Sequence, residues 1–140
     1  MINGIEEITF SVHGDSRGKL IAVEGCSDIE FNIQRIYYIY DTLSGVVRGK
    51  HAHIDLKQVM VCVCGSCKVL VDNGTEREIV RLDSPDKGIY IHDLIWREMM
   101  EFSADCVLLV LVNRPYDTGD YIYDYDTFKD IAKKRKGEKL

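Results

Sequence analysis

The chain has 140 residues, of which 46% are hydrophobic, and it carries a formal net charge of −5 at pH 7. This length suffices for one compact domain and hardly for two, so we predict a single domain over residues 1–140. The negative charge argues against a nucleic-acid partner. The lack of a long apolar run or signal-peptide pattern argues against a membrane partner, and with an odd number of cysteines it predicts a cytoplasmic protein.

Short apolar or alternating runs, separated by turn-forming residues, follow one another along the chain. We predict strands over residues 8–12, 20–23, 33–40, 59–63, 67–71, 79–82, 89–91 and 106–112. Only residues 127–134 have helical character, and the basic residues from about 133 to 140 are expected to form a disordered tail. Many short strands followed by one short helix predict an all-β sandwich or barrel.

Two histidines stand in a pattern of fixed spacing, Gly45-x5-His51-x-His53-x4-Gln58-x6-Gly65. Because alternate residues of a strand point to one face, both imidazoles should enter one cavity, which Gln58 approaches from the next turn or strand. The spacing resembles the metal motif of the cupins, which are jelly-roll barrels, but Gln58 replaces the expected carboxylate and Arg97 replaces a fourth ligand. A guanidinium stays protonated and repels a metal ion, so we predict no metal and assign both histidines to acid-base chemistry.

A closer resemblance is carried by the segments Arg48-Gly49-Lys50-His51-Ala52-His53, Asp15-Ser16-Arg17-Gly18 and Gln58-Val59-Met60-Val61. They resemble the sugar-nucleotide 3,4-ketoisomerases, small cupins that act on dTDP-4-keto-6-deoxyglucose, and the likeness covers most of the chain. The dTDP-sugar 3,5-epimerases are more distantly similar. The resemblance implies a homodimeric, cofactor-free cupin that binds a dTDP-4-keto-6-deoxyhexose and moves its ketone from C4 to C3 through an enediol.

Roles for individual residues follow from this resemblance and from side-chain chemistry. His51 is expected to remove the C3 proton, while His53 shuttles a proton or donates to the enediolate oxygens, although the two roles could be exchanged. Arg48 is expected to reach a phosphate or the sugar, and the resemblance implies a phosphate contact for Arg17, with a surface salt bridge as the alternative for either. Arg97 and the neighbouring cavity residue Gln58 complete the predicted substrate-binding set, and Arg97 could stabilise enediolate charge or select the face on which C4 is reprotonated.

Several assignments stay open. Any of several aspartates, Asp83 and Asp105 among them, could orient the catalytic imidazole. The alternative functions are a 3,5-epimerase of the same substrate and a non-enzymatic cupin that binds a small ligand or a metal. The segment Cys64-Gly-Ser-Cys67 has the spacing of redox and zinc motifs, but it lies between two predicted strands and is interpreted as a hairpin turn with core cysteines.

Overall fold

Twelve β-strands and one α-helix form within residues 1–138, the part of the chain that the computed structural model describes. The strands are β1 (Ile5–Thr9), β2 (His13–Asp15), β3 (Gly18–Leu20), β4 (Arg35–Ile39), β5 (Arg48–His53), β6 (Gln58–Cys64), β7 (Cys67–Asp72), β8 (Arg77–Leu82), β9 (Lys87–Ile91), β10 (Trp96–Met100), β11 (Val107–Val112) and β12 (Tyr121–Ile122). A 3-10 turn over Thr118–Asp120 precedes β12, and helix α1 spans Tyr125–Glu138.

Ten of these strands form two antiparallel five-stranded sheets. The strand order is β1-β9-β6-β11-β4 in the first sheet and β12-β5-β10-β7-β8 in the second, while β2 and β3 form a separate hairpin. Apolar side chains of both sheets share one core, including Met60 and Val110 of the first sheet and Val69 of the second. The arrangement confirms the predicted all-β class with a short C-terminal helix, although hydrogen bonds do not close the described strands into one barrel.

Each sheet is also covered on part of its outer face. Phe31, in the segment between β3 and β4, packs against Tyr90 on the outside of the first sheet. Phe128 of helix α1 packs against Trp96 on the outside of the second sheet. These two smaller clusters bury apolar surface that the central core leaves exposed, and they stabilise the sandwich in proportion to that area.

A polar contact ties the start of helix α1 to the second sheet. The Tyr125 hydroxyl donates a hydrogen bond to the buried Asp72 carboxylate, which also accepts hydrogen bonds of 2.9 and 3.1 Å from the Arg77 guanidinium. A buried carboxylate needs such partners because its charge is otherwise costly to remove from water. The helix therefore has one fixed position against the sheet that carries the histidine strand β5.

Several element boundaries differ from those predicted. Helix α1 begins at Tyr125 and ends at Glu138, so the tail expected to be disordered from about residue 133 is helical as far as it is described, and residues 139–140 lie outside the described part. The first strand covers residues 5–9 rather than 8–12. Strand β10 escaped prediction because Arg97 and Glu98 interrupt its apolar pattern. Among the described residues, no helix combines the length and apolar character required to span a membrane.

Candidate active site

A cleft of about 310 Å³ lies beside the histidine strand, where β4 of the first sheet approaches β5 of the second. Its walls are formed by Arg35, Tyr37, Ile39, Arg48, Gly49, His51, Met99, Tyr116 and Tyr121. A larger groove of about 670 Å³ between the N-terminal residues and helix α1 contains none of the predicted site residues. The smaller cleft is therefore the candidate active site.

His51 and His53 lie side by side, as the alternation of the strand predicts. Their ring centroids are 4.9 Å apart, and both rings contact Tyr121, at 5.0 Å from His51 and 4.3 Å from His53. His51 is half-buried and lines the cleft, whereas only 1% of the His53 surface is exposed to solvent. The inner imidazole is thus shielded from bulk water, and the outer one is accessible to a ligand.

A β-bulge immediately precedes the histidines. Arg97 of β10 pairs with His51, and the next residue of β10 pairs with Gly49, so Lys50 has no partner in the ladder. Gly49 and Lys50 both have positive φ, 86° and 56°. Residues three apart in a regular strand point to opposite faces, but one extra residue restores the same face. The bulge is therefore what allows Arg48 and His51 to line the same cleft.

Asp120 fixes the inner imidazole. Its Oδ2 lies 3.1 Å from His53 Nδ1, while its Oδ1 accepts a 2.8 Å hydrogen bond from the backbone N–H of Asp55. A carboxylate at Nδ1 holds the tautomer that carries its proton there, so Nε2 keeps a free lone pair. That Nε2 is buried and has no hydrogen-bond partner among the described residues. His53 Nε2 is therefore able to accept a proton as a base.

The two aspartates considered from the sequence for this orienting role do not reach the imidazoles. Asp83 pairs with Arg81, and Asp105 accepts a hydrogen bond from Ser103. Asp120 was missed because it stands 67 residues after His53 in the chain and only the 3-10 turn before β12 brings it back. Its position within Asp117-Thr-Gly-Asp120, a turn-forming sequence, gave no signal of a catalytic role.

Arg97 and Gln58 form the wall behind the histidines rather than the lining of the cleft. The Arg97 side chain has 0% exposure; its Nε and Nη2 donate to the Ile95 carbonyl oxygen at 3.1 and 2.9 Å, and its Nη1 donates to Gln58 Oε1. Gln58 in turn donates to the Tyr37 hydroxyl at 3.3 Å. No carboxylate within the described residues forms a salt bridge with Arg97, so this buried cation has no direct counter-charge.

Burial and this cation together keep both imidazoles neutral. Burial, and then the charge of Arg97, lower the pKa of His51 to about 4. The same two causes, followed by His51 and Arg35, lower the pKa of His53 to about 2. Burial also lowers the pKa of Arg97 to about 10, which still leaves the guanidinium charged at neutral pH. At physiological pH the site therefore holds two neutral bases beside one fixed positive charge.

The donor set does not suit a divalent metal ion. The only carboxylate or amide oxygen that the motif offers, Gln58 Oε1, accepts a hydrogen bond from Arg97, whose charge would repel a metal. Two neutral imidazoles alone fall short of the four ligands that zinc sites use. The residues present fit acid-base chemistry better than metal binding.

Two further cations face the cleft. Arg48 lines it as predicted, and Arg35 lines it from β4. The Arg35 guanidinium lies over the rings of Tyr37 and Tyr116, at 5.2 and 5.3 Å, and its buried Nε has no hydrogen-bond partner in the described chain. These stacked contacts hold the guanidinium in place while leaving its N–H groups for an anion. Sequence reasoning missed Arg35 because no motif surrounds it.

Arg17, the other predicted phosphate contact, is not in the cleft of its own chain. It lies on the β2–β3 hairpin, where its side chain is 88% exposed and forms a 2.6 Å ion pair with Asp15. All six strand residues of this hairpin are exposed. Within a single chain, the surface salt bridge considered as the alternative is what the structure contains.

Comparisons with known proteins show the family to which the chain belongs. Residues 3–133 match the model of the family described as FdtA: WxcM-like, C-terminal. A TDP-4-oxo-6-deoxy-alpha-D-glucose-3,4-oxoisomerase from Aneurinibacillus thermoaerophilus is 47% identical over 132 residues, which are 94% of this chain and 95% of that protein.

Solved structures of sugar 3,4-ketoisomerases are also similar to this chain. The structure of QdtA, a sugar 3,4-ketoisomerase from Thermoanaerobacterium thermosaccharolyticum in complex with TDP, matches with a TM-score of 0.94 at 43% identity, covering 96% of this chain and 98% of that chain. The 3'-monoepimerase ChmJ from Streptomyces bikiniensis shares the fold with a TM-score of 0.75 at 20% identity, covering 86% of this chain and 68% of that chain. The predicted resemblance to the ketoisomerases, and the more distant one to sugar epimerases, are confirmed.

Proposed function

The chain belongs to the WxcM-like, C-terminal (FdtA) family, and from this premise we propose that it is a sugar-nucleotide 3,4-ketoisomerase. Its substrate is dTDP-4-keto-6-deoxy-D-glucose, and its reaction moves the ketone from C4 to C3. The observation that carries the proposal is the pair of neutral imidazoles beside one cleft that also presents two arginines. Neutral bases serve proton abstraction, and arginines serve a diphosphate.

His51 transfers the proton between carbons. Converting a 4-ketone into a 3-ketone requires that the C3 hydrogen leave as a proton, that an enediol form, and that a proton be added to C4. His51 lines the cleft, and its lowered pKa leaves it neutral at physiological pH. It takes the C3 proton as a base and, as imidazolium, returns a proton to C4, so the ring ends in its original state.

His53 transfers the proton between oxygens. In the same reaction the C3 hydroxyl loses its proton and the C4 oxygen gains one. The free Nε2 of His53 is suited to accept the first and deliver the second, because Asp120 holds the other ring nitrogen as a donor. Buried proton transfer of this kind needs a fixed tautomer. This division of work keeps the roles first expected for the two histidines.

Arg97 stabilises the charge that appears between these steps. Removing a proton from C3 places negative charge on the enediolate oxygens, and a preorganised cation in a dry site stabilises such charge strongly. Arg97 is fully buried and has no carboxylate partner among the described residues to neutralise it. Its contact with Gln58 keeps the guanidinium in place. The cation therefore acts through the wall of the cleft on both imidazoles and on the intermediate.

Arg48 and Arg35 bind the diphosphate of the nucleotide from opposite sides of the cleft. A guanidinium offers a planar set of donors that matches phosphate oxygens. Removing one such contact should weaken binding more than it slows the chemistry. Arg48→Met is therefore expected to raise the Kd for TDP, measured by titration calorimetry, with a smaller change in kcat; a fall in kcat at unchanged Kd would contradict this role.

A second copy of the chain packs against the first to form a homodimer. Ile36 and Tyr38 of the edge strand β4, and Tyr40 just after it, are each more than half exposed. The β2–β3 hairpin buries none of its strand residues within its own chain. Packing of these two surfaces against another copy would cover the apolar side chains and move Arg17 towards the partner's cleft. Light scattering should show a dimer that Tyr38→Glu converts to a monomer; a monomeric unmodified protein would refute this part.

The test of the reaction is to incubate the protein with dTDP-4-keto-6-deoxyglucose in deuterated water and to follow the sugar by NMR. A ketoisomerase forms the 3-keto product and introduces deuterium through C3 and C4 chemistry. Exchange at C3 and C5 would indicate the 3,5-epimerase instead. If no sugar carbon exchanges although TDP binds, the protein is a ligand-binding cupin and not an enzyme of this type.

The His51→Asn variant, studied in the same experiment, tests whether His51 is the carbon base. Asparagine retains a polar side chain but cannot accept and return a proton at neutral pH. The variant should lose deuterium exchange while its affinity for TDP stays close to that of the unmodified protein. Undiminished turnover in this variant would place the carbon base at another residue.

A further inference from the structure

Three cysteine side chains meet inside the sandwich, away from the walls of the cleft. Cys62 lies near the end of β6, Cys67 begins β7, and Cys106 precedes β11. The Cys62 sulfur lies 3.6 Å from that of Cys67 and 3.7 Å from that of Cys106, and all three sulfur atoms are within 4.8 Å of one another. Cys62 and Cys67 are completely buried, and Cys106 is 4% exposed.

We propose that these three sulfurs bind one thiophilic metal ion in three-coordinate geometry, and that the ion is Cu(I). An ion at the centre of a planar sulfur triangle, at the metal–sulfur distance of about 2.3 Å, needs triangle edges of about 4.0 Å. The two edges that meet at Cys62, 3.6 and 3.7 Å, are close to that value, and the third edge is at most 4.8 Å. Small side-chain rotations therefore suffice to form the site.

The surroundings of the three sulfurs select the ion. The cysteines belong to the central apolar core, together with Val69 and Leu82, and no histidine or carboxylate joins their cluster among the described residues. Structural zinc sites are four-coordinate and would lack a ligand here. Thiolates are soft ligands that favour Cu(I), an ion that does not require the fourth position.

The cluster lies beneath two turns that reach solvent. One turn contains Gly65 and Ser66, and the other contains Ser103, Ala104 and Asp105; Ser103 N–H donates to the Ser66 carbonyl oxygen at 2.8 Å. An ion can enter when this short end of the sandwich opens locally, without passing through the cleft.

Binding must displace protons from the thiols. Burial raises the pKa of Cys106 to about 12, and the hydrogen bond between Cys62 and Cys67, followed by burial, raises the pKa of Cys62 above its ordinary value. Each sulfur that binds as a thiolate releases one proton to solvent. Two thiolates and one thiol around Cu(I) leave a single negative charge, which limits the cost of burial.

The test uses a chain in which the two exposed cysteines are removed, Cys26→Ser with Cys64→Ser, so that only the three core thiols remain. Anaerobic titration with Cu(I) against a competing chelator should show one ion bound per chain, with a higher Tm and unchanged ketoisomerase activity. Adding Cys62→Ala should abolish stoichiometric binding, because Cys62 contacts both other sulfurs.

Cys106→Ala is a second variant in the same background, in case the first does not fold. The metal-free Tm and circular dichroism of each variant show whether it is folded. Binding of Cu(I) by the folded Cys62→Ala or Cys106→Ala variant as tightly as by the background chain would overturn the proposal. So would the absence of Cu(I) binding in the background chain itself, or a preference for Zn(II).

Discussion

Replacing Asp120 with asparagine tests the role of the inner imidazole most directly. In the native site, Asp120 Oδ1 accepts the Asp55 N–H at 2.8 Å and Oδ2 faces His53 Nδ1 at 3.1 Å. In Asp120→Asn the side-chain oxygen is held at the first position by the Asp55 N–H, so the amide NH₂ faces His53. Nδ1 must then accept a hydrogen bond, and the proton of the neutral imidazole moves to Nε2.

An imidazole with its proton on Nε2 cannot accept the proton of the C3 hydroxyl. General acid-base catalysis by a positioned group contributes about 10²- to 10⁴-fold to a rate, so kcat should fall by about that factor, equivalent to about 3–5 kcal/mol. Affinity for TDP should stay within about threefold, because Asp120 does not line the cleft. The assay is product formation followed by NMR, with TDP binding measured separately.

Two controls distinguish this effect from a structural one. Asp93→Asn alters a carboxylate that accepts hydrogen bonds from Leu56 and Lys57 but touches neither imidazole, and it should leave kcat nearly unchanged. Nitrogen-15 NMR of the histidine rings should show the His53 proton on Nδ1 in the native protein and on Nε2 in Asp120→Asn. A loss in kcat of less than tenfold, or an unchanged tautomer, would refute the reasoning.

The remaining predictions concern protonation, metal exclusion and stability. The native histidines have pKa values of about 4 and about 2, so the unfolded chain takes up protons below about pH 6.5 that the native chain does not. The free energy of unfolding should therefore fall towards pH 4, by up to about 1.4 kcal/mol per pH unit for His53. Urea titrations of the His53→Asn variant should show a shallower fall. Gln58→Glu combined with Arg97→His removes the buried cation and supplies two ligands, so elemental analysis should find one Zn per chain; a folded but metal-free variant would show that the cation is not what excludes metal. Tyr125→Phe removes a hydrogen bond to buried Asp72 and should lower the free energy of unfolding by about 1–3 kcal/mol without changing kcat. An accompanying loss of kcat would mean that the position of helix α1 affects the cleft.

Local spacing made part of the site predictable. The alternation of a strand places His51 and His53 on one face, and the motif that contains them includes Gln58 and points to Arg97. These four side chains are indeed neighbours. The sequence did not reveal how deeply Arg97 and Gln58 are buried, because the depth of Arg97 depends on the central position of β10 between β5 and β7.

The rest of the site depends on contacts between distant segments. Asp120 and Tyr121 reach the histidines, and Arg35 and Tyr116 reach the cleft, only through the order of strands in the two sheets, which local sequence does not give. The structure places Arg17 on an exposed hairpin, where Asp15 is its ion-pair partner among the described residues, and the local sequence around Arg17 did not predict that position. The all-β class followed from many short runs with turn residues, whereas the end of helix α1 was misjudged because its basic last turns carry little apolar signal.

The extra residue in β5 changes how the motif should be compared between proteins. Because Lys50 adds one position to the strand, Arg48 and His51, which are three residues apart, share a face only while the bulge is present. A chain with the same residue types at the same separation but with a regular strand would direct the arginine away from the cleft. A chain with one residue fewer and no bulge would return the arginine to the face of the histidine. An alignment that matches residue types alone would therefore score a match where the arginine does not face the cleft. The bulge between these two side chains must be compared together with their identities.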